Sequence, residues 1–212
     1  MKRRKIIMLI SIVILIIAIS FININKSKNK VVFQNKVIDH GIRYLDKDKF
    51  YTIISQSEPK FSEEIEDHIT KIIKNHKNGK DAEKVNYKFA SVYATYDVGA
   101  NTKMEIVAPV IIYVKDDKPK EFLLLDDDLF CYSFKGANPS TFNKFVKLVS
   151  LEENNSKIYL SIRGQLEIGL TNPSKYNLKN EEFKFSYKEG NMQYFHKIID
   201  LHHEETLNLQ HN

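Results

Sequence analysis

Nineteen consecutive residues, Ile6 to Ile24 (IIMLISIVILIIAISFINI), carry no charge, and only Ser11, Ser20 and Asn23 among them are polar. As a helix this run is roughly 28 Å long, close to the thickness of a bilayer's hydrocarbon core. Its many β-branched residues are no obstacle, because an isolated segment in lipid can satisfy its backbone only as a helix. Lys2, Arg3, Arg4 and Lys5 precede it, and the positive-inside rule keeps such a cluster in the cytoplasm. The expectation is a cytoplasmic tail over 1–5, a single-pass transmembrane anchor over 6–24, and a domain outside the cytoplasm. The competing reading is a cleaved secretory signal, for which Ala18-Ile19-Ser20 supplies the small-residue pattern. The apolar run continues past that point through Phe21, Ile22 and Ile24, which favours retention in the cell membrane over secretion.

Residues 25–31 (NKSKNKV) read as a basic stalk suited to anionic headgroups. The full chain carries a formal charge of +5, a balance that would raise nucleic acid as a partner. Seven of the positive charges precede residue 31, however, leaving 25 basic against 27 acidic residues beyond it. The domain is near neutral, so nucleic acid is excluded and the expected partners are the membrane, through 6–24, and an envelope protein. Heavy use of Lys, Ile and Asn with no Trp fits a bacterial source, and the amino-terminal segment places the expected domain in the cell envelope.

The remaining chain is long enough for one domain, expected over 32–200, with a polar tail over 201–212. Val37, Ile38, Ile42 and Leu45 fall at helical spacing and predict a first helix. Asp46 or Asp48 can cap a continuation through Phe50, Tyr51, Ile53 and Ile54. Ile65, Ile69, Ile72 and Ile73 form the apolar stripe of the best-marked helix, with Ser62 as N-cap and Asn78-Gly79 as the stop. Alternation then takes over. Val85 to Thr95 predicts a long strand, and Met104 to Val114 its partner, with Pro109 implying a bulge or an edge. Strands follow at Glu121 to Leu125 and around Phe130 to Phe134. Two hairpins close over Glu152 to Ser156 and over Glu189-Gly190-Asn191. The fold class is α+β: two or three helices packed on a long antiparallel β-meander.

That order of elements resembles the cystatin-like, or nuclear-transport-factor-like, cone fold. The resemblance rests on the helix through Leu45, the restart at Asp46-Lys47-Asp48-Lys49-Phe50, the Ser62 to Lys74 helix and the strands from Val85 to Phe134. It covers about half the chain, and the hairpins after residue 140 exceed what that fold needs. It implies helices seated in a curved sheet with a concave mouth. Assembly factors of type IV secretion combine a short cytoplasmic tail, one span and such a domain.

Few residues offer chemistry. Cys131, alone in its apolar stretch, excludes an intrachain disulfide and reads as a small buried hydrophobe. Asp126, Asp127 and Asp128 lack the spacing of a calcium loop and read as a solvated strand end. His202, His203, Glu204 and Glu205 resemble metal ligands, but on a helix adjacent side chains diverge and no HExxH pairing is present. His68 and His76, eight residues apart, make no metal pair by themselves, and His196 falls on a hairpin strand. Ser161 and Ser186 have no glycine elbow, Gly164 stands alone, and no phosphate-binding glycine loop occurs. The expectation is therefore no catalytic residue, no metal and no cofactor, with the binding residues unassigned. The expected function is a non-catalytic, membrane-tethered module that binds a small apolar ligand or a protein. The alternatives are an assembly component of an envelope or secretion complex and an exported hydrolase without a visible motif.

Overall fold

The computed structural model describes residues 36–57, 64–77, 85–126 and 129–207. In chain order these form β1 (Val37–Tyr44), α1 (Lys47–Ser57), α2 (Ile65–Lys77), β2 (Val85–Gly99), β3 (Thr102–Lys115), β4 (Lys118–Leu124), β5 (Cys131–Lys135), β6 (Ser140–Glu152), β7 (Lys157–Leu170), a 3-10 turn at Pro173–Lys175, β8 (Lys184–Glu189) and β9 (Met192–Thr206). All strand pairs are antiparallel. The first sheet runs β1-β2-β3-β4, with β5 also on β3, and the second runs β6-β7-β9-β8.

This corrects the α+β expectation of helices on one meander. Among the described residues nine strands in two sheets outweigh two helices, and the molecule is mainly antiparallel β. The physical reason lies in β3, whose residues from Met104 to Val114, between exposed Lys103 and Lys115, are all buried on both faces. A strand with two apolar faces needs two covers. On one face Met104, Ile106, Ala108, Val110 and Ile112 join Val92, Ala94 and Tyr96 of β2 in a core shared with Ile158, Leu160, Ile162 and Leu166 of β7. On the other, Ile111 and Leu123 pack with Phe50, Ile54, Ile65 and Ile69 of the helices. The order is helices, first sheet, second sheet. The expected helices supply only the outer cover.

The transmembrane helix in the expected fold is corrected too. No helix among the described residues is long and apolar enough to cross a membrane. Residues 6–24, the basic stalk, the Ser62 cap and Asn78-Gly79 lie outside the described residues.

Within the fold several local expectations change for identifiable reasons. Val37–Tyr44 is a strand, paired with β2 from Val37 opposite Tyr96 to Tyr44 opposite Ala90. The helical spacing there is coincidental, and Gly41, at φ +147°, adopts a conformation foreign to a helix. Asp46 does cap α1, accepting from the Lys49 amide at 2.8 Å. Pro109 sits in a central strand, not at an edge. β4 pairs with Val110–Lys115 and β5 with Lys103–Val107, so Ala108 and Pro109 face a gap between those two partners. The hairpins β6–β7 and β8–β9 form as expected. β6 bulges between Lys144 and Val146, where a Cβ on Gly164 would lie 2.4 Å from the Phe142 ring. β9 extends through Thr206 and Leu207 is buried, so 201–207 belongs to the domain and only 208–212 lies outside the described residues.

Candidate metal centre in an inter-sheet groove

The strand conformation of β9 decides which polar residues share a face. Side chains alternate along a strand, so Ile199, Leu201, His203 and Glu205 point the same way. Ile199 and Leu201 enter the inter-sheet core, and His203, 8% exposed, sits at its rim. His40 of β1 lies opposite Ala94, itself a residue of that core, and so faces the same layer. Two sheets thus bring His40 to residues 203 and 205. His40 Nδ1 lies 2.9 Å from Glu205 Oε2, and His203 Nε2 lies 3.1 Å from the same oxygen. The imidazole centroids are 4.8 Å apart and tilted by 51°. One ligand atom from each residue falls within 4.8 Å of the others.

Burial grades across the cluster. The His40 side chain is half exposed, whereas His203 and Glu205 are largely covered. Burial first, and the nearby His40 charge, push the His203 pKa down, against the pull of Glu205.

His40 and Glu205 of the cluster form one wall of a groove of about 700 Å³, with His203 set behind them. Its other walls are Ile42 and Tyr44 of β1, the Asp116-Asp117 turn with Lys118 and Pro119, and Thr206 and Leu207. Asp116 and Asp117 both adopt positive φ, 52° and 60°, the conformation of a two-residue hairpin turn. The β6–β7 turn braces the far side: Ser156 carbonyl accepts from the Leu207 amide at 2.9 Å, and Asn155 carbonyl from Phe122 at 2.7 Å. The groove therefore stands on backbone hydrogen bonds.

A second cavity, of about 540 Å³, is lined by Gln56, Phe130, Cys131, Tyr132 and residues of β6 and β7. Cys131 is half-buried at the start of β5, so the expectation of a fully buried core thiol is corrected. Asp126 is exposed, while Asp127 and Asp128 lie outside the described residues. His68 donates from Nε2 to the Leu125 carbonyl at 2.9 Å, and His76 reaches the Tyr87 hydroxyl and Glu121. Both histidines seat α2 on the first sheet.

His196 and His202 belong to the opposite face of β9 from His203. His196 Nδ1 meets Ser186 Oγ at 2.6 Å, and His202 joins Tyr159 at 2.6 Å and Asp200 at 2.9 Å. Neither group lines either cavity. Ser161 is half-buried on β7 without a hydrogen-bonded histidine, and Gly164 serves backbone packing.

A separate ionic cluster occupies the part of the first sheet's outer face beyond the helices. Glu105, 7% exposed, accepts from Arg43 at 2.9 Å, Lys135 at 3.0 Å and Thr95 at 3.2 Å. Arg43 also stacks 3.3 Å over the Tyr93 ring. Burial alone would raise the Glu105 carboxyl, but the hydrogen bonds from Arg43 and Lys135 outweigh it and carry the pKa down to about 2. With every charge paired, this cluster is structural.

Sequence reasoning separated His203 from Glu205 because it placed them on a tail or helix. The signal that could have joined them is the alternation Ile199, Leu201, His203, Glu205, which continues the apolar phase of a strand. His40 carries no local signal, since its partners are 163 and 165 residues away. Comparison with protein-family models, with curated proteins and with solved structures finds no match for this chain.

Proposed function

We propose that this chain is a non-catalytic binding module working outside the cytoplasm, and that it holds an extended segment of a protein partner in the groove along β1. The observation that carries the reading is the groove's lining. Ile42, Tyr44, Pro119 and Leu207 stand beside His40, Asp116, Asp117, Lys118 and Glu205. A purely apolar ligand would strip water from these charged groups without replacing their hydrogen bonds, at a cost of roughly 2 kcal/mol or more for each. A polypeptide offers both kinds of group. β1 pairs only with β2 among the described strands, so its outer edge has the unpaired backbone that an added strand uses. Export is supported by the basic and apolar character of residues 2–24.

The alternative of an assembly component draws support from β6, a sheet edge on which Phe145, Val146 and Leu148 are exposed. One experiment separates the two. A photo-crosslinking amino acid at Tyr44 should capture a partner in intact cells, and the same probe at Val146 should not. Capture at Val146 alone would refute the groove reading and favour assembly through the second sheet.

A further inference from the structure

We infer that His40, His203 and Glu205 bind a divalent transition-metal ion of the zinc class, with one coordination position left open toward the groove. The inference deepens the groove reading, and its functional meaning rests on that reading, but metal binding itself stands or falls separately.

The donor set comes first. Two imidazole nitrogens and one carboxylate oxygen form a borderline set that suits Zn²⁺ and its neighbours in the transition series, whereas Ca²⁺ and Mg²⁺ prefer all-oxygen shells. Spacing comes second. Tetrahedral ligands at about 2.0–2.1 Å from zinc stand roughly 3.3–3.4 Å from one another. The two contacts to Glu205, 2.9 and 3.1 Å, lie just inside that value, and no pair exceeds 4.8 Å. The widest pair has to close from 4.8 Å by roughly 1.4 Å, a movement that falls mainly to the half-exposed His40 side chain.

Convergence comes third. Both imidazoles aim their facing nitrogens at the same oxygen, Glu205 Oε2. Without metal, each facing nitrogen donates its proton to that oxygen. A bound cation replaces those two protons, so the carboxylate and both nitrogens turn their lone pairs to one point. Enclosure comes fourth. His203 and Glu205 approach from the covered side of the layer and His40 from the open side. Three protein ligands with one solvent-facing position is the pattern of an open zinc site. In this groove the open position can take a carboxylate, imidazole or carbonyl of the bound segment.

The test uses the full-length protein, extracted with detergent where needed, and zinc alone as the probe. Isothermal titration against a competing chelator should give one Zn²⁺ per chain, with Ca²⁺ unable to compete. His40→Ala and Glu205→Gln should each weaken zinc by more than the roughly 10–100-fold typical of losing a second-shell partner. His40 is half exposed, so its substitution leaves the core intact, and circular dichroism checks that both variants are folded. His202→Ala, on the opposite face of β9, should leave affinity unchanged. Absence of zinc binding in the wild type, or equal affinity in folded His40→Ala, overturns the inference. Equal losses in His202→Ala and His40→Ala also overturn it, by showing scattered surface histidines. Crosslinking at Tyr44 with chelator present reports on the groove reading independently, so either can fail alone.

Discussion

Tyr96 offers a sharp test of the packing between the two sheets. It lies on the core face of β2, opposite Met104, and is 1% exposed. Its hydroxyl is buried and finds no hydrogen-bond partner among the described residues. Burial pushes its pKa above the usual tyrosine range, with a further contribution from Tyr159. A buried polar group without a partner forfeits its hydration, about 1–3 kcal/mol. Tyr96→Phe removes that penalty and leaves a void of one oxygen atom, whose lost dispersion contacts return part of the gain. The expected net effect is stabilisation by about 1 kcal/mol. Urea unfolding should show a higher midpoint at unchanged m, and Tm should rise by about 2–4 °C for a domain of this size. Tyr132→Phe is the control. The Tyr132 hydroxyl donates to the Phe142 carbonyl at 3.1 Å, joining β5 to β6, so its removal should destabilise by about 0.5–1.5 kcal/mol. Loss of 1 kcal/mol or more in Tyr96→Phe would refute the reasoning and mean that the hydroxyl is satisfied in solution, for example by trapped water.

Two further perturbations probe other layers. Glu105 has its folded pKa at about 2, below its ordinary 4.5; the stability it contributes is therefore complete above about pH 4.5 and is lost as pH falls toward 2. Discounted for the solvent around Arg43 and Lys135, the loss is about 2 kcal/mol, and Glu105→Gln should flatten that acid limb of the stability–pH curve measured by denaturant titration. Ile69, 4% exposed between α2 and the first sheet, should on conversion to Asp cost roughly 3 kcal/mol or more, because an unpaired charge enters an apolar layer. A change below about 1 kcal/mol by the same assay would mean that α2 does not cover the sheet.

What the sequence made legible followed from local chemistry. The stripe of Ile65, Ile69, Ile72 and Ile73 places α2, whose Ile65 and Ile69 are buried. Turn residues place β6–β7 and β8–β9, where Glu153, Asn154, Asn155 and Gly190 do adopt positive φ. What escaped depended on partners distant in sequence. Val37 to Tyr44 satisfies helical spacing as well as it satisfies a strand, and only the open edge of β2 decides between them. Pro109 argues against a central strand by propensity, but propensity carries no information about a gap between β4 and β5. The second sheet was present as hairpins, yet hairpins do not announce which face of another sheet they will cover. The metal-ligand cluster combines both difficulties. Its β9 half needed the right period, and its β1 half needed the two sheets already stacked.

The claim that β1 and β9 close a two-histidine, one-carboxylate site at the mouth of the groove is tested most directly by zinc K-edge X-ray absorption on the full-length protein loaded with one equivalent of Zn²⁺. The account predicts a first shell of nitrogen and oxygen at about 2.0–2.1 Å, with the outer scattering of two imidazole rings that falls to one ring in His40→Ala. A sulfur shell at about 2.3 Å, which would implicate Cys131, or an all-oxygen shell without imidazole scattering would contradict it.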